Sequence, residues 1–202
     1  QVILMNMLRT YGAQSVYGSE IAIAGSGAVG KVMIVFLSCV IGIALGCQPI
    51  FGFNYGSKRY DRVIEAYRKA LRYGTTLAVI AFLCIQLFPR QIGMLFVSDS
   101  PLYLDCAQHC FRLYMAAFFL YGLHLATASF FQGIGRPVPS LAIPLARQGM
   151  FLIPLAILLS GRFGLDGALL AAPISDVLTF LLSLLLVRRE FAVWRQRDWI
   201  ET

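Results

Sequence analysis

Runs of about twenty apolar residues recur along this chain, each set off from the next by a short polar or basic stretch. A bilayer's hydrocarbon core is ~30 Å thick and a helix rises ~1.5 Å per residue, so one such run matches one crossing. Segments 32–53, 111–131, 138–159 and 163–187 qualify. Segment 73–88 is shorter and reaches Val97 if Pro89 only kinks it. Residues 1–17 read as the tail of an earlier helix. Lipid offers the backbone no hydrogen-bond partner, so the spans must be helical. The short alternating segments of a β-barrel do not occur. The expected class is all-α, a polytopic helical membrane protein. The chain opens at Gln1 inside an apolar stretch, without a signal-peptide pattern, which predicts a fragment lacking its N-terminal part.

Charge supports this reading. Charged residues make up 13% of the chain, against about 25% in an ordinary soluble domain. The net charge of +7 is segregated between the spans, which signals topology and not a nucleic-acid surface. Lys58, Arg59, Arg62, Arg68, Lys69 and Arg72 follow the first full span. Arg136 follows the third, and Arg188, Arg189, Arg195 and Arg197 follow the last. The alternate loops carry Glu20, Arg90, Asp99, Asp105, Arg162 and Asp166. The positive-inside rule then places the C-terminus in the cytoplasm, with residues 1–190 as the membrane lobe and 191–202 as a cytoplasmic tail. Segment 61–72 is amphipathic and is expected along the inner membrane surface. Trp194 and Trp199 are expected near the headgroups.

Several motifs point away from catalysis. Gly25-Ser26-Gly27-Ala28-Val29-Gly30 has the G-x-G-x-x-G spacing of a dinucleotide fingerprint. Some twenty positions on, where an acidic residue belongs, stand Gln48, Pro49 and Ile50. These glycines are read as permitting close helix packing and a tight turn at the membrane edge. Ser38, Gly42 and Gly46 have small-xxx-small spacing and predict close packing within a bundle. Cys106, His109 and Cys110 lack a fourth metal ligand nearby, and the five cysteines read as small buried hydrophobes. No serine stands in a G-x-S-x-G turn to serve with His124 and Asp176, so no enzyme is expected.

Polar groups inside spans carry more information, because a charge at the bilayer centre costs roughly 2.5–3.5 kcal/mol on insertion scales. Asp176 lies in the last span, Arg147 in the fourth, and His124 with Tyr121 in the third. Asn6 and Gln48 are polar without charge. Together they are the candidates for a substrate or cation pathway. Asp176 and Arg147 are expected either to pair across neighbouring helices or to act in transport, or both. His124 is expected to hydrogen-bond a neighbouring helix, although its aqueous pKa would suit a proton relay.

The run Gly46-Cys47-Gln48-Pro49-Ile50-Phe51-Gly52-Phe53-Asn54-Tyr55-Gly56 resembles a signature of the MATE (multidrug and toxic compound extrusion) family, most of all its bacterial MepA-like branch. Gln48, Pro49, Gly52, Asn54 and Gly56 carry that motif. Phe130-Phe131-Gln132-Gly133-Ile134-Gly135-Arg136-Pro137, the segment 145–154 and Pro173-Ile174-Ser175-Asp176 resemble later family segments in order. The resemblance implies one six-helix lobe of a twelve-helix, two-lobe transporter, running from the tail of helix seven to helix twelve. It implies multidrug efflux of amphipathic, often cationic compounds from the bacterial cytoplasmic membrane. The cycle would be antiport with H⁺ or Na⁺ by alternating access, with no cofactor and with an N-terminal lobe as partner. Some members form a cation site from carboxylates in helices seven and ten. Here helix ten offers Tyr121 and His124 and no acid, so Asp176 is the remaining acid deep in a span. Export of lipid-linked substrates, as in related folds, is the alternative; a strongly basic cavity would favour it.

Overall fold

In a computed structural model the described residues, 2–198, form eight α-helices joined by short turns. These are α1 (Val2–Gly12), α2 (Gly18–Gly56), α3 (Tyr60–Leu87), α4 (Pro89–Met94), α5 (Pro101–Tyr114), α6 (Tyr121–Gly133), α7 (Pro137–Leu145) and α8 (Ile153–Asp198). A 3-10 turn (Phe118–Leu120) precedes α6, and a π-helical segment (Ala146–Leu152) joins α7 to α8. Helices α2 and α3 are each long and apolar enough to cross a membrane, as is the stretch Pro137–Trp194. The bent pair α5–α6 makes a fourth such unit.

The stretch from Pro137 is two spans. Gly164, at φ 60° and ψ −130°, breaks α8 in a conformation that only glycine adopts cheaply. The chain folds back there so closely that a Cβ on Gly167 would run into the Leu159 carbonyl. Residues 137–163 and 165–198 therefore stand side by side as the legs of a hairpin. This returns the five crossings expected from the apolar runs, with α1 entering beside α2 and α8.

Several local expectations change. The first full span begins at Gly18, not Val32, so the Gly25–Gly30 motif lies inside a continuous helix and makes no turn. The turn falls at Gly18, whose φ is 77°. Gly25 does serve close packing, against Ala107 and Cys106 of α5, while nothing lies beside Gly27 or Gly30. Ser38, Gly42 and Gly46 are exposed, so that stripe faces away from the described bundle. Segment 61–72 is the first part of α3 rather than a separate surface helix. Its apolar stripe of Val63, Tyr67 and Ala70 is buried against protein, which draws the helix upright into the bundle. Pro89 does more than kink its span: α3 stops at Leu87, and Pro89 starts the short α4, where its missing N–H costs nothing. The third span begins at Pro101 and bends by 44° between α5 and α6.

Two clusters hold the ends of the bundle. At one end Tyr17, Ile21, Cys106, Cys110, Phe111 and Leu165 pack together, beside a His109–Asp166 contact of 2.6 Å. His109 and Cys106 are thus engaged with protein, the latter reaching the Ile21 carbonyl, and the described residues hold no metal-binding group. At the other end Tyr55, Tyr60, Tyr67, Phe130, Phe191 and Trp194 form one aromatic cluster. Trp194 is only 2% exposed and donates its indole N–H to Glu190 at 3.0 Å, so it is turned into protein and not out to headgroups. Trp199 lies outside the described residues. Arg136 pairs with Glu190 at 3.4 Å, tying the turn after α6 to the end of α8.

The middle is held by close backbone approach. A Cβ on Gly122 would stand 2.7 Å from the Gly74 carbonyl oxygen. Gly133 and Gly52 meet similarly, where a Cβ on Gly133 would lie 3.0 Å from the Gln48 carbonyl. Gly122→Ala should therefore cost about 1–3 kcal/mol, the usual cost of overpacking, because backbone cannot move aside. Gly42→Ala, inside α2 with open space around it, should leave stability unchanged or raise it by up to about 1 kcal/mol through helix propensity. Thermal unfolding of the detergent-solubilised protein compares the two; equal effects would refute the crossing.

Candidate functional site

The strongest polar feature lies at mid-span in the hairpin. Arg147, on the π segment, donates through Nε to Asp176 Oδ1 of α8 at 2.6 Å. Both residues are buried, at 4% and 3% exposure. The sequence places each in an apolar run with no water to solvate it, and the hairpin brings the two together. Their expected pairing across adjacent helices is what the structure shows.

Aromatic side chains complete the cluster. The Arg147 guanidinium sits 4.5 Å from the centroid of the Tyr121 ring, at the start of α6. A cation over that face is attracted by the ring quadrupole, more strongly where water is excluded. Tyr121 in turn packs on His124, with centroids 4.5 Å apart. Tyr114, at the end of α5 and across the bend from Tyr121, lies within electrostatic reach of Arg147 and Asp176. The bend between α5 and α6 brings both tyrosines to the hairpin.

His124 departs from expectation. It is 3% exposed, and neither ring nitrogen bonds a neighbouring helix; the acceptor beside it is the Leu120 carbonyl, four residues back. The Thr75 hydroxyl, on the helix crossed by Gly122, is unpartnered.

Gln48 belongs to a second network, about 16 Å further along α6 from the Arg147 cluster by helical rise. Its side-chain amide donates to Ser129 Oγ at 3.0 Å and Gln132 Oε1 at 3.1 Å. Ser129 donates to the Ala44 carbonyl at 2.7 Å, and Thr127 to that of Leu123 at 2.8 Å. The Thr127 proton is thereby used, so the Tyr67 hydroxyl, 2.8 Å away, is the donor in that contact. The signature run is otherwise structural. Gly52 approaches Gly133, Asn54 donates to the Ile50 carbonyl at 2.8 Å, Pro49 lies inside α2, and Gly56 ends it. Asn6 is exposed on α1 and joins neither network.

Sequence reading passed over Tyr114, Tyr67, Thr127, Ser129 and Gln132. Their signal was present: a helical Gln48 inside a span needs polar partners, and α6 supplies three polar residues within six positions.

A buried ion pair is worth less than its Coulomb energy suggests, because both partners lose solvation. Arg147→Met alone should destabilise the lobe by about 3–5 kcal/mol by stranding Asp176. Adding Asp176→Leu should restore most of that loss. Thermal melts of the single and double variants decide it, and equal destabilisation by both would show that the pair is not the interaction lost.

Comparison with known proteins fits this architecture. The family model MatE matches residues 2–158. A protein named FAD transporter, from Shewanella oneidensis, is 27% identical over 157 residues, covering 78% of this chain and 34% of that protein. The fold matches a multidrug resistance MATE family transporter of the MOP superfamily in its outward-facing conformation, with TM-score 0.84 at 20% identity, over 96% of this chain and 44% of that one. The inward-facing conformation of such a transporter gives 0.85 at 19% identity, over 96% and 44% of the chains. A MOP superfamily transporter from Pyrococcus furiosus matches with TM-score 0.84 at 19% identity, over 96% and 43%. This chain thus spans less than half the length of the relatives it matches. The relatives are transporters and not enzymes, and this multi-pass helical membrane chain belongs to the MATE family.

Proposed function

We propose that this chain is the C-terminal lobe of an exporter in the bacterial cytoplasmic membrane, moving amphipathic organic molecules outward by antiport with H⁺ or Na⁺. The observation that carries the reading is the Arg147–Asp176 pair, buried on a π-distorted span of a MATE-family chain. Apolar residues of the same volume would stabilise such a site at least as well. Ionisable groups kept at that depth are expected on the pathways of ions and substrates. π segments likewise recur at functional sites. Alternating access is then the motion of this lobe against an N-terminal one around a shared cavity. The basic ends of α3 and α8 and the turn at Arg136 gather at one end, which supports a cytoplasmic C-terminus by the positive-inside rule.

Flavin dinucleotides are the second substrate class, favoured by the relative named FAD transporter. Lipid-linked phosphates would call for unpaired basic charge in the cavity. Arg147, the one buried arginine among the described residues, is committed to Asp176, so the site lends that reading no support.

Efflux of ethidium from cells expressing the full-length parent tests the proposal, with the H⁺ and Na⁺ gradients collapsed in turn. Efflux should stop when one of the two is removed, and Asp176→Asn should slow it about tenfold or more at equal expression. No ethidium efflux from a well-expressed protein, with FAD accumulating in the medium, would move the assignment to flavin export. Neither substrate moving would overturn export of either class.

A further inference from the structure

At the end of the lobe that carries the aromatic cluster, a crevice of about 340 Å³ opens between the start of α3 and the end of α8, a size usual for small-molecule sites. Its α3 wall carries Asp61, Glu65 and Arg68 beside Tyr60 and Ile64, which share one face of the helix. Its α8 wall is Phe191 and Trp194. We propose that this crevice holds the headgroup of an aminophospholipid, a primary ammonium joined to a phosphodiester, with the ammonium at Asp61 and the phosphate at Arg68.

The charges on the α3 wall set the class of ligand. Glu65 is committed to Lys69 at 2.7 Å. Asp61 and Arg68 are exposed, and neither belongs to an ion pair among the described residues. A ligand of one sign would meet a like charge here: Arg68 opposes a free organic cation, and Asp61 opposes a free phosphate. A zwitterion satisfies both. Asp61 and Arg68 are two turns apart, about 10 Å by helical rise. Helical side chains lean towards the N-terminus, so the long arginine reaches back and shortens that gap towards the length of an ethanolamine arm. Ile64 stands between the two and offers the carbon arm an aliphatic surface.

The order of the charges matches a lipid in the adjoining leaflet. Helix α3 enters the membrane through its apolar second half, 73–87, so Arg68 lies nearer the hydrocarbon and Asp61 nearer water. A phospholipid presents its phosphate at the deeper level and its ammonium further out, in the same sequence. The aromatic wall favours a primary over a quaternary ammonium. Trp194 is buried, its N–H is spent on Glu190, and Phe191 is half-buried, so the rings form an apolar wall and not an open cage. Quaternary ammonium groups are held by open aromatic cages, whereas an exposed carboxylate takes charge-assisted N–H bonds. Bound there, the headgroup ties the entry of α3 to the end of α8.

The test uses the full-length parent, purified in detergent and offered phosphatidylethanolamine and phosphatidylcholine in equal amounts. Native mass spectrometry reads which lipid is retained, for wild type, Asp61→Asn, Arg68→Gln and Asp99→Asn. Wild type should keep the ethanolamine lipid at least fivefold over the choline lipid. Asp61→Asn should bring that ratio to within twofold of unity, and Arg68→Gln should lower retention of both lipids fivefold or more. Asp99→Asn, at the opposite end of the lobe, should leave the ratio as in wild type. Asp61 and Arg68 are exposed, so their variants should melt with the wild type. Equal retention of the two lipids by wild type would overturn the proposal, as would an unchanged preference in Asp61→Asn. Loss of the preference in Asp99→Asn would also overturn it, by marking a general effect of charge. Displacement of the ethanolamine lipid by ethidium or by inorganic phosphate would assign the crevice to a free ion and overturn the lipid as its occupant. None of these readouts involves transport, so they stand or fall apart from the antiport reading.

Discussion

The Arg147–Asp176 pair is the interaction around which this lobe is arranged. Both charges sit where no water can reach them, so the two legs of the last hairpin must lie in register for either residue to be tolerated. Gly164 makes that register available by letting the chain reverse in a conformation closed to other residues. Gly167 lets the legs close up just beyond the turn. Tyr121 then comes in over the guanidinium, which fixes where α6 meets the hairpin and why the third span must bend before it.

The other buried hydroxyls of α8 make no such demand. Ser175, Thr179 and Ser183 are buried along α8, and each donates to a carbonyl three or four residues earlier in its own helix. Their hydroxyls are satisfied without reference to any neighbour, as a lipid-embedded helix requires. The glycine crossings of α3 with α6 and of α2 with α6 rest on shape and on uncharged hydrogen bonds such as Tyr67–Thr127 and Gln48–Ser129. These contacts stay intact whatever the protonation of the central groups. The lobe thus combines a frame indifferent to charge with one site that is sensitive to it.

Much of this was legible from residue types. Apolar run length returned the crossings, and the rule that buried charges must pair returned Arg147 with Asp176. What escaped was information that hydropathy does not carry. The bend after Tyr114 is made of residues as apolar as a straight helix, and the π segment after Leu145 holds polar residues but no spacing that marks a change of helical register, so only three-dimensional contacts reveal them. The glycines at 25–30 fit a turn or a helix equally well, and the apolar residues flanking them settled it for helix. Segment 61–72 looked like a surface helix because its charges are conspicuous, but Tyr67 packs on Phe130 and Phe191, and that burial outweighed the pattern. Trp194 was misplaced for the same reason: an aromatic near a span end has two apolar environments open to it, and here the protein offered the closer fit.

His124 shows most plainly where such reasoning stops. A histidine within a span is expected to find an acceptor, because an unbonded imidazole in hydrocarbon loses its hydration without return. The ring here is buried without a bond to any neighbouring helix, and the acceptor beside it is the Leu120 carbonyl, four residues back in the same chain segment. Hydropathy does not distinguish that local arrangement from a bond between helices, because both leave the same residue type at the same depth.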